Sequence, residues 1–284
     1  MHIHWFPGHM AKAQRMIREQ LTLIDVVIEL LDARIPQSSA NPIIAELVGS
    51  KSKVVALNKA DLAEPVHTTE WVNYFRDMGF ATVTLDAASG KGTKELVIKV
   101  EQEAREKIAK LTAKGIKGRA VRAMILGIPN VGKSSLINRL LGTATAKTGD
   151  KPGVTRGQQW LKVGKNLELL DTPGVLWPRM DDQEVAFKLA VTGAIKDDIY
   201  DMEKVILHLL EILNHYYSDR LCERYKLTQK QLPADTNELL SLIGSKRGCL
   251  RSGGVVDFEK VRRIILTDFR SGKLGPITLD RLKN

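Results

Sequence analysis

"ALNKADLAEP", residues 56–65, carries Asn58-Lys59-Ala60-Asp61 at the end of an apolar run. How these four residues are read decides the fold. An Asp61 carboxylate can accept hydrogen bonds from both the ring N–H and the exocyclic amine of guanine, a donor pair that adenine lacks. A site built this way leaves its own carboxylate unpaired against the wrong base and can reject it by ~10⁴ or more. Asn58 is placed to tie this turn to a phosphate-binding loop, and the Lys59 stem to lie against the base. Taken alone, the four residues suit an ordinary strand-to-helix turn with a capping Asp equally well. The remainder of the chain settles the matter.

"GIPNVGKSS" (127–135) fits G-x-x-x-x-G-K-[ST] without a gap and lies between an apolar strand and a helix. In such a loop successive backbone N–H groups, here those of Asn130, Val131, Gly132, Lys133, Ser134 and Ser135, surround phosphates at the positive end of a helix. Lys133 is expected to neutralise the β- and γ-phosphates, and the Ser134 hydroxyl to coordinate Mg²⁺. "LELLDTPG" (167–174) then ends an apolar strand at Asp171, a carboxylate that can hold Mg²⁺, usually through water. Gly174 can offer its N–H to a γ-phosphate without a side chain in the way. Between these motifs "KTGDKPGVTRG" (147–157) is a polar loop in which Thr155, or else Thr148, is the candidate hydroxyl closing on Mg²⁺.

The usual order runs phosphate loop, switch threonine, D-T-P-G, N-K-x-D, and a last loop of small residues. Here the order is Asn58–Asp61, "DAAS" (86–89), the phosphate loop, Thr155, and Asp171–Gly174. That is the same cycle opened at another point. Such a rearrangement is permissible because domain termini often lie close together, and ligand loops follow the carboxyl ends of strands whichever strand comes first. In the last loop Asp86, Ala87 and Ala88 are expected near the base, with an Ala87 or Ala88 N–H meeting the guanine carbonyl.

Strands at 25–33, 53–61, 81–88 and 119–127 alternate with helices at 70–79, 93–114 and 133–142, and two close strands at 158–164 and 166–171 should pair antiparallel. The expected class is α/β: a mostly parallel sheet with helices on both faces in circularly permuted motif order, followed by an all-α C-terminal domain. We divide the chain into an N-terminal segment and helix (1–20), the nucleotide domain (21–180) and a helical domain (181–284). The four helices of that last domain include three with an Asp at or near the N-cap.

The 284 residues carry a net charge of +10, with 43% hydrophobic, 27% charged and 5% aromatic residues. No stretch has the ~18 apolar residues a membrane span needs, and no signal peptide is visible. Cys222 and Cys249 form no metal-ligand or disulfide pattern, which fits a reducing cytosol. Residues 99–122 and 240–273 each hold eight Lys/Arg against three acidic residues. Clustered positive charge favours polyanions through counterion release, while the few aromatics give base stacking little support.

With these motifs in place, the sequence resembles the circularly permuted GTPases, and in particular the bacterial ribosome biogenesis GTPase A family. "WFPGHMAKA" (5–13), "DARIP" (32–36), "LNKADL" (57–62), "GIPNVGKSSLINRL" (127–140), "DKPGVTRGQQW" (150–160), "DTPGVLWP" (171–178) and "KRGCL" (246–250) carry the likeness. The resemblance implies GTP hydrolysis with Mg²⁺ in the cytoplasm, coupled to late assembly of the large ribosomal subunit. It also implies a helical domain contacting ribosomal RNA, with no membrane and no DNA partner. On that reading both basic stretches become RNA contacts. In the helix 257–270, Phe258, Val261, Ile265 and Phe269 form a packing stripe, and Lys260, Arg263 and Arg270 an RNA-facing side.

Many GTPases position the attacking water with a Gln after D-x-x-G; here Val175 and Leu176 stand there. His9 in "FPGHM" is the leading substitute, since an imidazole can orient water, ahead of Gln158 and Gln159. Asn130 resembles the asparagine through which some related GTPases hold K⁺. Two other functions compete: a nucleotide-dependent RNA-binding switch with negligible hydrolysis, and a P-loop ATPase or kinase, against which Asp61 argues.

Overall fold

The computed structural model describes residues 7–116, 118–142, 160–170 and 182–282, with side chains from residue 14 onward. They divide into two compact units. The first holds the described residues up to Leu170 together with 278–282, and the second holds 182–277.

The first unit opens with α1 (Pro7–Leu21) and β1 (Val26–Asp32), whose seven residues are all buried. The short α2 (Pro36–Ser39) and α3 (Pro42–Val48) follow. Turn-forming residues start both helices: each has Pro in its first turn, and the Asn41 side chain caps α3 by accepting the Ile43 N–H at 2.9 Å. Next come β2 (Lys53–Asn58), α4 (Pro65–Asp77), β3 (Ala81–Thr84), α5 (Thr93–Ala113) and β4 (Val121–Leu126). The phosphate-loop helix α6 (Lys133–Leu141) and the hairpin β5 (Trp160–Val163) and β6 (Leu167–Leu170) complete the series.

The six strands lie in the order β3-β2-β1-β4-β6-β5. All neighbours are parallel except β5 and β6, which pair antiparallel as their short connection requires. Each half of the sheet starts at the centre and winds outward, so the order reverses between β1 and β4. Ligands in open α/β sheets bind at such a switch point.

Burial explains the layering. Val27, Met124, Leu126 and Leu170 pack with Ile17 and Leu21 of α1 and with Ile44 and Val48 of α3. Leu31, Val55 and Leu57 pack with Trp71, Val72 and Phe75 of α4. The alternate residues of β1 are buried as well, which requires cover on the other face; α5 lies against β1, β2 and β4 and buries Leu96, Val100 and Ala104. Each such side chain contributes ~1.5–3 kcal/mol. The N-terminal helix set apart by the sequence is thus part of this core.

The chain returns to the first unit at its far end. Asp280 accepts the Ser38 N–H and hydroxyl at 2.6 and 2.8 Å, the buried Trp71 indole N–H donates to the Asp280 carbonyl at 2.9 Å, and the Leu279 N–H donates to the Arg34 carbonyl at 2.8 Å. The division expected from sequence places these residues with the helical domain, because nothing local to 278–282 marks their partners near 34–38 and 71.

The second unit contains α7 (Gln183–Val191), α8 (Met202–Tyr216), α9 (Ser218–Tyr225), α10 (Thr236–Lys246) and α11 (Phe258–Arg270). Asp182, Asp201, Asp235 and Asp257 each cap the helix that follows, one more than expected, at about 1 kcal/mol apiece. In α11 Val261, Ile265 and Phe269 are buried, while Phe258 is 38% exposed and falls outside the stripe. Arg270 also departs from expectation. Its guanidinium pairs with Asp197 at 2.7 Å and donates to the carbonyls of Ala190 and Val191, so it braces α7 rather than facing a ligand. Lys260 and Arg263 do line an open cleft of about 460 Å³, joined by Arg247 and Lys273. Among the described residues no helix is long and apolar enough to cross a membrane.

Candidate nucleotide site

At the carboxyl end of β4 the chain turns through Gly127–Gly132 into α6. Two glycines are required by space. A Cβ on Gly127 would lie 2.6 Å from the Leu30 carbonyl of β1. Gly132, at φ +105°, would place one 2.3 Å from the Asn58 amide nitrogen. Lys133 is nearly buried, with its ammonium donating to the carbonyls of Gly127 and Ile128 at 3.0 and 2.8 Å. The cation is therefore held over the loop where phosphates are expected. Ser134 and Ser135 occupy the next two positions of α6.

At the carboxyl end of β2 the base loop meets this loop directly. The Asn58 amide donates to the Val131 carbonyl at 2.7 Å, and its oxygen accepts the Ala87 N–H at 2.9 Å. One buried side chain thus joins the base loop, the phosphate loop and the "DAAS" loop after β3. Lys59, in the left-handed conformation at φ 60°, donates to the Asn130 carbonyl at 2.8 Å and pairs with Asp32 at 3.1 Å. Its stem therefore bridges the two loops. Ala60 and Asp61 form a single 3₁₀ turn, with Asp61 exposed.

The two carboxylates expected around the base behave differently. Partial burial, and then the charge of Asp86, push the Asp61 pKa up. Burial works against ionised Asp86 as well, but hydrogen bonds from the Ser89 side chain and from the Ser89 and Ala88 N–H groups outweigh it and hold its pKa down. The Ala88 N–H donates to Asp86 at 2.8 Å and the Ala87 N–H to Asn58. Both N–H groups expected at the guanine carbonyl are therefore engaged within the protein, and a contact with the base requires one of them to be shared. Arg139 of α6 donates to the Ala88 carbonyl and secures this loop from the phosphate side.

Sequence reasoning assigned no role to Asp32 and Arg34, which form the floor beneath the base loop. Both side chains are 2% exposed, and Arg34 grips Asp32 through two hydrogen bonds at 2.9 and 2.7 Å. Burial opposes the Asp32 charge, but Arg34 and Lys59 overcome it and drive its pKa far below the ordinary aspartate value of 3.8. The ion pair therefore stabilises the fold fully above that value, and the contribution disappears only as strong acid protonates the folded form. Arg34→Ala should cost roughly 3–5 kcal/mol in urea unfolding at neutral pH, because it strands a buried carboxylate. The legible signal was a charged pair two residues apart at the end of a mostly apolar strand.

Of the remaining predicted residues, His9 lies in α1 with its side chain outside the described residues. Thr155, Thr148, Gln158, Gln159, Asp171, Gly174, Val175 and Leu176 also lie outside them.

The family described as "50S ribosome-binding GTPase" matches residues 122–242. The match starts in β4 and leaves the base loop outside, as it must when that loop stands upstream of the phosphate loop. The Ribosome biogenesis GTPase A of Priestia megaterium is 52% identical over 281 residues, covering 99% of this chain and 97% of its own. This chain belongs to the ribosome biogenesis GTPase A family. Two solved structures are similar to it. One is a GDP-bound structure of TM YlqF, at 25% identity and TM-score 0.67 over 95% of this chain and 100% of that one. The other is GNP-bound YlqF from T. maritima, at 26% identity and TM-score 0.65 over 95% and 98% of the two chains. As a member of the ribosome biogenesis GTPase A family, the protein binds and hydrolyses GTP and works in ribosome biogenesis with a ribosome-related partner.

Proposed function

We propose that this GTPase acts in the cytoplasm on a precursor of the large ribosomal subunit, binding its ribosomal RNA late in assembly and hydrolysing GTP slowly until the subunit completes the site. The reading is supported above all by Asn58, whose two hydrogen bonds bring the base and phosphate loops together although Gly127 stands 69 positions further along the chain. Asn58, Lys59, Ala60 and Asp61 take the guanine from one side, with Asp86, Ala87 and Ala88 beside it. Asn130 to Ser135 and the Gly174 N–H take the phosphates. The Ser134 hydroxyl is the hard oxygen donor that Mg²⁺ prefers, and Thr155 and Asp171 complete its set. Mg²⁺ held there would supply neutralisation of phosphate charge. Asn130 holds K⁺, Lys133 stabilises the transferring phosphoryl group and His9 orients the attacking water.

Phosphate release measured with and without large ribosomal subunits tests this reading. Subunits should accelerate release toward ~10³-fold, the lower reach of what a charge supplied by a partner provides. Release should also be faster in K⁺ than in Na⁺, and His9→Ala should lower turnover with nucleotide binding intact. Equal rates with and without subunits would overturn the proposed partner. Equal rates in the two salts, or an active His9→Ala protein, would remove K⁺ or His9 from the mechanism.

A further inference from the structure

The nucleotide loops occupy the carboxyl ends of the parallel strands. At the opposite, amino end, cations gather in a continuous rim. Asp25, with its side chain fully buried, pairs with Lys107 at 2.9 Å and Arg119 at 3.0 Å, and it also accepts the Arg122 N–H at 2.9 Å. Lys51 shares the Ile24 carbonyl with Lys107. Partial burial, and then the neighbouring charge of Lys107, lower the Lys51 pKa. One carboxylate thus serves a crowd of cations.

The rim continues into an open cleft of about 290 Å³ where the β5–β6 turn meets the start of β4, lined by Arg119, Arg122, Lys162, Lys165 and Glu168 among others. Register places Arg122, Glu168 and Lys162 in one row across β4, β6 and β5. Glu168 is taken by Arg122 at 3.2 Å. Lys162 and Lys165 are exposed, and neither ammonium has a side-chain partner among the described residues. Holding unpaired like charges together around one cleft costs electrostatic free energy, which an anion removes.

The shape of the chemistry narrows the ligand. Among the described residues no aromatic side chain lines the cleft, and the Trp160 ring of β5 is covered by the Arg122 guanidinium at 4.9 Å, so there is no platform for a stacked base. What the cleft presents is cationic side chains in a shallow row, suited to successive backbone phosphates rather than to base edges. We propose that this rim binds the phosphate backbone of ribosomal RNA, which gives the first unit its own RNA surface at the end of the sheet opposite GTP. The proposal rests on the ribosomal role argued above and specifies which surface of this unit meets the RNA.

Lys162→Glu/Lys165→Glu tests it, since both residues are exposed and far along the strands from the nucleotide loops. Full-length wild-type and variant proteins are sedimented with large ribosomal subunits in a non-hydrolysable GTP analogue across a salt series, and titrated with large-subunit ribosomal RNA stripped of protein. The variant should bind both probes at least ~10-fold more weakly at moderate salt, with a salt dependence shallower by roughly two logarithmic units per decade, while its GTP affinity and intrinsic hydrolysis stay at wild-type values. Lys162→Gln/Lys165→Gln should fall between. Wild-type affinity and salt dependence in the Glu variant would overturn the proposal. So would loss of subunit binding with full affinity for stripped RNA, which would assign the rim to a ribosomal protein. A wild-type protein that fails to sediment with subunits in the GTP analogue would sink the ribosomal role itself, and this surface with it.

Discussion

Asp61→Asn should turn the protein from guanine to xanthine nucleotides. Guanine offers two parallel N–H donors, and on the assignment proposed above the Asp61 carboxylate accepts both. An Asn amide retains one acceptor but replaces the other with a donor, which then faces the guanine amine donor to donor. Xanthine carries a carbonyl at that position and restores the pair. GTP affinity should fall by ~10² or more and XTP affinity should rise, because a site that hydrogen-bonds its ligand leaves polar groups unpaired against the wrong one. Competition among GTP, XTP and ATP for a fluorescent nucleotide reads the change. Unaltered guanine preference would place base recognition elsewhere.

The same residue sets an acid limit on binding. The ionised carboxylate accepts from both guanine donors, whereas the protonated form carries a donor of its own. Because partial burial and Asp86 raise the Asp61 pKa in the free protein, GTP affinity should be complete above that raised value and decline as pH falls through it. Binding below it should release a proton. In Asp61→Asn this limb of the pH profile should vanish.

Gly132→Ala should weaken nucleotide binding as severely as loss of a base contact, without removing any group that touches the ligand. The added methyl meets the Asn58 amide at 2.3 Å in a backbone conformation, φ +105°, that side chains rarely adopt. Either the phosphate loop shifts or Asn58 surrenders the Val131 carbonyl, and in both cases the two loops part. A fall in GTP affinity of ~10² or more is expected, with a stability loss of roughly 1–3 kcal/mol from the strained conformation. Asn58→Ala is the informative companion: it removes the tie but leaves the backbone unstrained, so it should weaken binding with less loss of the phosphate contacts. Calorimetric titration with GDP and urea unfolding separate the two effects.

What could be read from sequence, and what could not, follows from the range of each interaction. The phosphate loop was legible because its chemistry demands named residues within eight consecutive positions. The permuted order was legible because three motifs, each weak alone, fit a single cycle. The antiparallel hairpin followed from a connection too short for any crossover. Local ambiguity hid other elements. Pro36, Asn41 and Pro42 are turn formers and helix initiators alike, so residues 34–42 do not by themselves tell a loop from the start of α2 and α3. Helix α9 begins directly after α8 at Tyr217, a residue that caps neither with its side chain, so nothing marked the break. The Arg270 side chain looked free for a polyanion because its partners, Asp197 and the carbonyls near 190, stand more than seventy positions upstream. The Asp32–Arg34–Lys59 cluster is assembled partly across β1 and β2. Its two nearer members were visible, but the partner that connects them to the base loop was not.

The return of residues 278–282 to the first unit has a consequence for the moment at which the protein becomes competent. Until they arrive, the Trp71 indole lacks its acceptor at the Asp280 carbonyl, and the stretch from Arg34 to Ser38 lacks the N–H donors and carboxylate that hold it. Translation delivers these residues only after all of 182–277 has been made. The segment beside the guanine loop is therefore finished last although it is encoded first, and a nascent chain cannot brace its base-binding side before its helical unit exists.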